Sequence, residues 1–201
     1  MISDAVKFIR EIYSSNEVIS LHEPSFEGND LKYLTEAIKS TYVSSVGKFV
    51  DDFEKKLEVY TNTSKAILTV NGTAALHAAL HVAGVVPGDI VITQALTFVA
   101  TCNAVHHMGA EPAFVDVSMK TMGMCPNALN VFLEENAVLE GDKTYLKSSR
   151  KPITAVVPMH TFGHPIEMDE LLEVCKKWKL VVVEDAAESL GSFYKGRHTG
   201  T

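Results

Sequence analysis

The run Leu180-Val181-Val182-Val183-Glu184-Asp185-Ala186-Ala187-Glu188 ends an apolar stretch in two adjacent carboxylates. Successive strand residues face opposite sides, so Glu184 and Asp185 should diverge. A partly buried carboxylate needs a partner, because burying an isolated charge is costly. A cationic ring nitrogen on a bound heterocycle would serve; so would a structural salt bridge, or use of Asp185 as a helix cap. A second pattern, Asn71-Gly72-Thr73-Ala74-Ala75-Leu76, follows the apolar run Ala66–Val70. Gly72 permits a tight turn and close backbone approach, and Thr73 can cap the helix that follows. The N–H groups of Thr73, Ala74 and Ala75 would then favour an anion such as a phosphate, through unpaired donors and the helix dipole. An ordinary capped helix fits the same residues. Neither G-x-x-x-x-G-K-[ST] nor G-x-G-x-x-G is present, so a nucleoside triphosphate or dinucleotide site lacks its usual signature. Phe98, in Thr97-Phe98-Val99-Ala100-Thr101, either stacks on a flat ring or packs in the core.

Histidine gives less. His160 follows the apolar run Ile153–Met159 and is a weak candidate for substrate contact. His77 and His81 are spaced i, i+4 but lack the glutamate of a zincin helix, which favours a plain helix-face pair, and the adjacent His106 and His107 face different directions. No metal site is expected. No Ser-His-Asp spacing or G-x-S-x-G elbow appears, so a hydrolase is disfavoured.

The elements that must position these groups follow from periodicity. Leu31, Leu34 and Ile38 mark a helix over 28–40 with Asn29 or Asp30 as N-cap, and Val50, Phe53, Leu57 and Tyr60 mark another. Strands are predicted at Ala66–Val70, Ile90–Thr93, Pro112–Val117, Ile153–Met159 and Leu180–Val183. Helices are predicted at Thr73–Ala83, Phe98–His107, Leu129–Leu139 and Met168–Trp178. Residues 140–152, polar and basic, read as an exposed connection. Strands that are apolar throughout and alternate with helices indicate an α/β fold, a mostly parallel wound sheet covered by helices on both faces. In such sheets ligands gather at the carboxyl ends of the strands.

Composition narrows the partners. The chain has 201 residues, with 18 Lys and Arg against 25 Asp and Glu, a net charge of −7. That balance argues against nucleic acid or an anionic membrane as partner. No apolar stretch nears the ~20 residues that span a bilayer, and the first residues lack a secretory h-region. Three widely spaced cysteines suit a reducing cytoplasm better than a disulfide scaffold.

The order and spacing of these motifs resemble the sugar aminotransferases of the DegT/DnrJ/EryC1/StrS family. The resemblance runs from about Ser25 to Thr201, through Gly28-Asn29-Asp30-Leu31, Asn71–Leu76, Pro87-Gly88-Asp89, Thr97–Thr101, Gly109–Val117, His160-Thr161-Phe162-Gly163, Glu184–Ala187 and Tyr194-Lys195-Gly196-Arg197. It implies the large domain of a fold-type-I aminotransferase using pyridoxal 5′-phosphate, with residues 1–24 an N-terminal extension and 25–201 the cofactor-binding domain. It implies that Gly72, Thr73 and Ala74 bind the cofactor phosphate, Phe98 and Ala187 sandwich the ring, and Asp185 pairs with the ring nitrogen. Glu188 stands near the phenolic oxygen, where many members carry His or Gln.

The resemblance also implies a nucleotide-linked keto sugar as substrate, leaning towards the legionaminic-type branch, with glutamate as amino donor, a homodimer and a cytoplasmic location. The family's Schiff-base lysine lies beyond Thr201, and Lys195 matches a hairpin instead. The chain is therefore expected to be a truncated, inactive portion of the enzyme, without the rest of the large domain or the small domain. A sugar dehydratase of the same family and a non-catalytic folded module are the other two readings.

Overall fold

A computed structural model describes residues 2–20 and 24–201. The chain divides into two units, 1–49 and 50–201. In the first, α1 (Ile2–Tyr13) and α2 (Asp30–Ser40) both lie with their apolar residues exposed, and the rings of Tyr33 and Phe49 meet at 5.7 Å. The apolar spacing that predicts α2 is observed as a helix; α1 has no counterpart in the expectations.

The second unit is built on a sheet whose centre is β1 (Ile90–Gln94), buried along its whole length. It pairs in parallel with β2 (Glu111–Val115) and with β5 (Pro152–Val157), and β5 pairs in parallel with β6 (Val181–Val182). Between β2 and β5 the chain makes α6 (Pro126–Asn136) and the hairpin β3 (Ala137–Glu140) and β4 (Lys143–Leu146), which joins β5 in antiparallel register. The sheet is thus mostly parallel, as the uninterrupted apolar runs require.

Alternation along β1 separates two cores. Ile90 and Ile92 pack with Leu129 and Leu133 of α6 and with Leu171 and Cys175 of α7 (Met168–Lys177). Val91 packs on the other face, with Leu80 of α4 (Gly72–Val82) and Ala104 and Val105 of α5 (Val99–His107). The pairing with β5 slips by one residue between Ile90 and Val91. Without that slip Ile153 and Val156, which differ in parity, could not both face the α6–α7 side. The remaining elements are α3 (Lys48–Thr61), a 3₁₀ turn at Thr161–Gly163 and a second hairpin, β7 (Phe193–Tyr194) and β8 (Arg197–His198). Lys195 and Gly196 form its turn, both with positive φ, as a two-residue hairpin of matching twist demands.

Three expectations are corrected. Ala66–Val70 forms no strand and belongs to no sheet. The N–H of Leu68 donates to Glu54 Oε1 at 2.9 Å and that of Ala66 to Glu58 Oε1 at 3.4 Å, so α3 carboxylates take the place of a strand partner. The helix expected over Leu129–Leu139 ends at Asn136, and 140–152 is no bare connection: it contains the hairpin turn at Gly141 and all of β4. Its charges dominate the composition of that stretch and hide a short period-two pattern. No helix among the described residues is long and apolar enough to cross a membrane.

Candidate active site

The loops that follow β1 and β6 and the start of α4 enclose a cavity of about 590 Å³, lined on the polar side by Asn71, Gly72, Thr73, Glu184, Asp185 and Glu188 and walled by Phe98 and Ala187. The size suits a small ring compound.

At one end stands the N-terminus of α4. Asn71, extended at φ −165°, is its N-cap, and its Oδ1 accepts from the Ala74 N–H at 2.9 Å while its carbonyl accepts from Ala75 at 3.1 Å. This corrects the sequence reading twice: Thr73 is not the cap, and the amides of Ala74 and Ala75 are already committed. Gly72 and Thr73 are left with N–H groups that have no acceptor among the described residues, as the first helical turn requires. Gly72 has an ordinary φ, and no atom lies within 4 Å of where its Cβ would stand. Neither a turn nor a close contact therefore demands glycine at this position. Ala74 does not line the cavity.

At the other end is Asp185, 5% exposed. Its backbone continues β6 beside β5: its N–H donates to the Pro158 carbonyl at 2.9 Å, and its carbonyl accepts from the His160 N–H at 3.2 Å. Its Oδ2 accepts from the Thr101 hydroxyl at 2.7 Å and its Oδ1 from the Ala187 N–H at 3.3 Å. No cationic side chain pairs with it among the described residues.

Glu184 has other partners than Asp185, but both line the one cavity, so the expectation that they face opposite sides is corrected: β6 ends at Val182 and strand alternation does not extend to them. The Glu184 Oε2 lies 2.9 Å from His160 Nε2 and accepts from the Gly200 N–H at 2.7 Å. The Ile166 N–H donates to His160 Nδ1, which places the ring proton on Nε2, donating to Glu184. Burial pushes the Glu184 carboxyl up, but the His160 and Gly200 bonds together outweigh it and hold the group below the usual carboxylate range. The His160 ring is fully buried and does not line the cavity, so the substrate contact considered for it is not where this side chain sits.

Phe98, the residue preceding α5, is 65% exposed and lies on the cavity wall, not in the core. Glu188 lines the cavity and its Oε2 accepts from the Phe162 N–H at 2.7 Å. Phe162 has φ +53°, a left-handed conformation uncommon for a bulky residue, and the Glu188 bond helps to hold it. Cavity-lining residues include no lysine. Lys195 lies on the second hairpin, its ammonium held by the Asp169 carboxylate and raised above its usual pKa by that bond first and by Tyr194 next. Among the described residues no group of three or more His, Cys, Asp and Glu stands close enough together to hold a metal ion.

Gln94 was invisible in the sequence as a site residue. Fully buried at the end of β1, its Oε1 accepts from Met124 N–H at 2.7 Å and Met159 N–H at 3.1 Å, and its Nε2 donates to the Leu96 carbonyl at 2.9 Å and Thr161 Oγ1 at 3.0 Å. One amide thus fixes three loops at the carboxyl edge of the sheet. Only its position at a strand end could have hinted at this.

The helix-terminal amides of Gly72 and Thr73, the ring of Phe98 and the buried Asp185 carboxylate face one cavity, with Glu184 and Glu188 also on its lining. A family model, the DegT/DnrJ/EryC1/StrS aminotransferase family, matches residues 24–201. The chain belongs to that family. Among its DegT/DnrJ/EryC1/StrS relatives, the GDP-perosamine synthase of Caulobacter vibrioides is 37% identical over 184 residues, which span 91% of this chain and 45% of that protein. The UDP-4-amino-4-deoxy-L-arabinose–oxoglutarate aminotransferase of Shewanella sediminis is 30% identical, over 92% of this chain and 44% of that protein. The solved structure of NtdA from Bacillus subtilis, with bound cofactor PMP, superposes with a TM-score of 0.67 at 29% identity, covering 90% of this chain and 40% of that one. The chain therefore spans under half the length of the relatives it matches.

Proposed function

We propose that residues 25–201 are the cofactor-binding portion of a pyridoxal-phosphate-dependent aminotransferase that acts on a nucleotide-linked keto sugar, with glutamate as amino donor, in the cytoplasm and as a homodimer. Residues 1–24 are an extension to that domain. The observation that carries the reading is Asp185: a buried carboxylate with two neutral donors and no cationic partner among the described residues, across one cavity from two unpaired helix-terminal amides.

The residues present fit the cofactor. Gly72 and Thr73 N–H groups would hold its phosphate where the helix dipole favours an anion. The phenyl of Phe98 and the methyl of Ala187 would bound its ring, and Asp185 would hold a proton on the ring nitrogen. When bound, the protonated ring supplies an electron sink for the carbon that gains or loses the amino group. The protein's part is to fix the ring's tilt, keep water from its faces and hold that one proton.

The names of the relatives, a GDP-sugar synthase and a UDP-sugar aminotransferase that uses oxoglutarate, support the nucleotide sugar and the donor. Three free thiols suit a reducing compartment. The exposed apolar residues Phe53, Val59 and Tyr60 on α3, with Leu190, support a second subunit.

Titration of the chain with pyridoxal phosphate, followed by visible absorbance and thermal shift, tests the reading. Saturable binding is expected, weakened at least about tenfold in D185A, since a charge-assisted hydrogen bond is lost. Borohydride should fix no adduct at the cavity, which no lysine lines. Absence of any saturable response from the unaltered chain would overturn it.

A further inference from the structure

Thr101 lies on the first turns of α5, 1% exposed, and its hydroxyl is the shortest contact of the Asp185 carboxylate. It also lies 2.8 Å from the Thr97 hydroxyl. Proton counting orients this chain. A threonine hydroxyl has one hydrogen to donate. If Thr101 gives its hydrogen to Asp185 Oδ2, then the hydrogen between the two threonines comes from Thr97. The order is then Thr97 O–H to Thr101 O–H to Asp185, each donor polarised by the next acceptor. The Thr97 hydroxyl also stands 3.1 Å from Met159 Sδ, a weaker acceptor.

This arrangement fixes more than charge. With Thr101 on Oδ2 and the Ala187 N–H on Oδ1, both oxygens are engaged from the protein side and the plane of the carboxylate is set. Each oxygen retains a lone pair for a ligand. Because α5 begins beside Phe98, the same short segment presents the aromatic wall and orients the acid. We infer that Thr101 is a positioning residue for the reaction proposed above: through Asp185 it sets the strength with which the site grips a protonated ring nitrogen. The inference rests on the cofactor reading, but its failure has a different signature.

The test is a set of pyridoxal phosphate titrations, read as Kd, on the unaltered chain, T101V, T101S, D185A and the D185A/T101V double variant. A parallel set uses an analogue bearing C–H in place of the ring nitrogen. Thermal midpoints without ligand report folding. T101V is expected to raise the Kd for pyridoxal phosphate about tenfold, one hydrogen bond's worth, and T101S to restore it to within about twofold. The Kd for the analogue should not respond to T101V, and T101V should have no further effect in the D185A background. Equal loss towards both ligands, or additive losses in the double variant, would assign Thr101 a structural role alone and overturn the inference. Unaltered affinity in T101V would also overturn it while leaving the cofactor reading intact. Absence of binding by the unaltered chain would remove both.

Discussion

At the scale of single residues, Glu184 and Asp185 show how one strand end supplies two environments. Both line the cavity, but Asp185 is held by a threonine hydroxyl and a backbone amide, and Glu184 by a buried imidazole N–H and a backbone amide. The adjacent carboxylates are legible in sequence; that both line one cavity is not, because strand alternation does not extend past β6. Their partners are not either, because His160 and Thr101 lie on other elements, 24 and 84 residues away. The Glu184 carboxyl is held below its usual range despite burial. Its contribution to stability is therefore present above the unfolded-state value and is lost as pH falls through the folded one. In E184Q, stability at neutral pH should drop by about 1–3 kcal/mol, and the loss on acidification should become shallower. Denaturant melts from neutral to acid pH check both, and an unchanged acid limb would remove Glu184 from the account.

At the scale of elements, the loops at the sheet's carboxyl edge are held by side-chain hydrogen bonds, some local and some from other elements. N71A removes the α4 cap and should cost about 1 kcal/mol in a denaturant melt, with a further loss of cofactor affinity as the helix start frays. G72V, which meets open space at Cβ, should change stability by less than about 1 kcal/mol yet weaken pyridoxal phosphate binding by filling the cavity. Q94A strands the Met124 and Met159 amides in the interior and should cost about 2–4 kcal/mol. The parallel strands of the sheet and the helices α4 to α7 could be read from apolar periodicity because one face of each is buried. Ala66–Val70 was misread as a sheet strand because β-propensity reports an extended backbone, not a pairing partner. The β3–β4 hairpin escaped because its four-residue strands carry charges that outweigh alternation.

At the scale of the whole chain, the second unit divides its core between two sheet faces and leaves the carboxyl edge as the place where α4, α5 and the β6 loop meet. That arrangement was legible in sequence through the order of the motifs, which also gave the family. The cap at Asn71, the committed amides of Ala74 and Ala75 and the burial of His160 were not, since each depends on a local hydrogen-bond choice that several residue patterns permit. The most direct measurement is a crystal structure of the chain grown with pyridoxal phosphate. The phosphate is expected within hydrogen-bond reach of the Gly72 and Thr73 amides, with the ring against Phe98 and its nitrogen on the Asp185 carboxylate. A ring seated elsewhere, or a phosphate at α4 whose ring nitrogen points away from Asp185, would contradict the account.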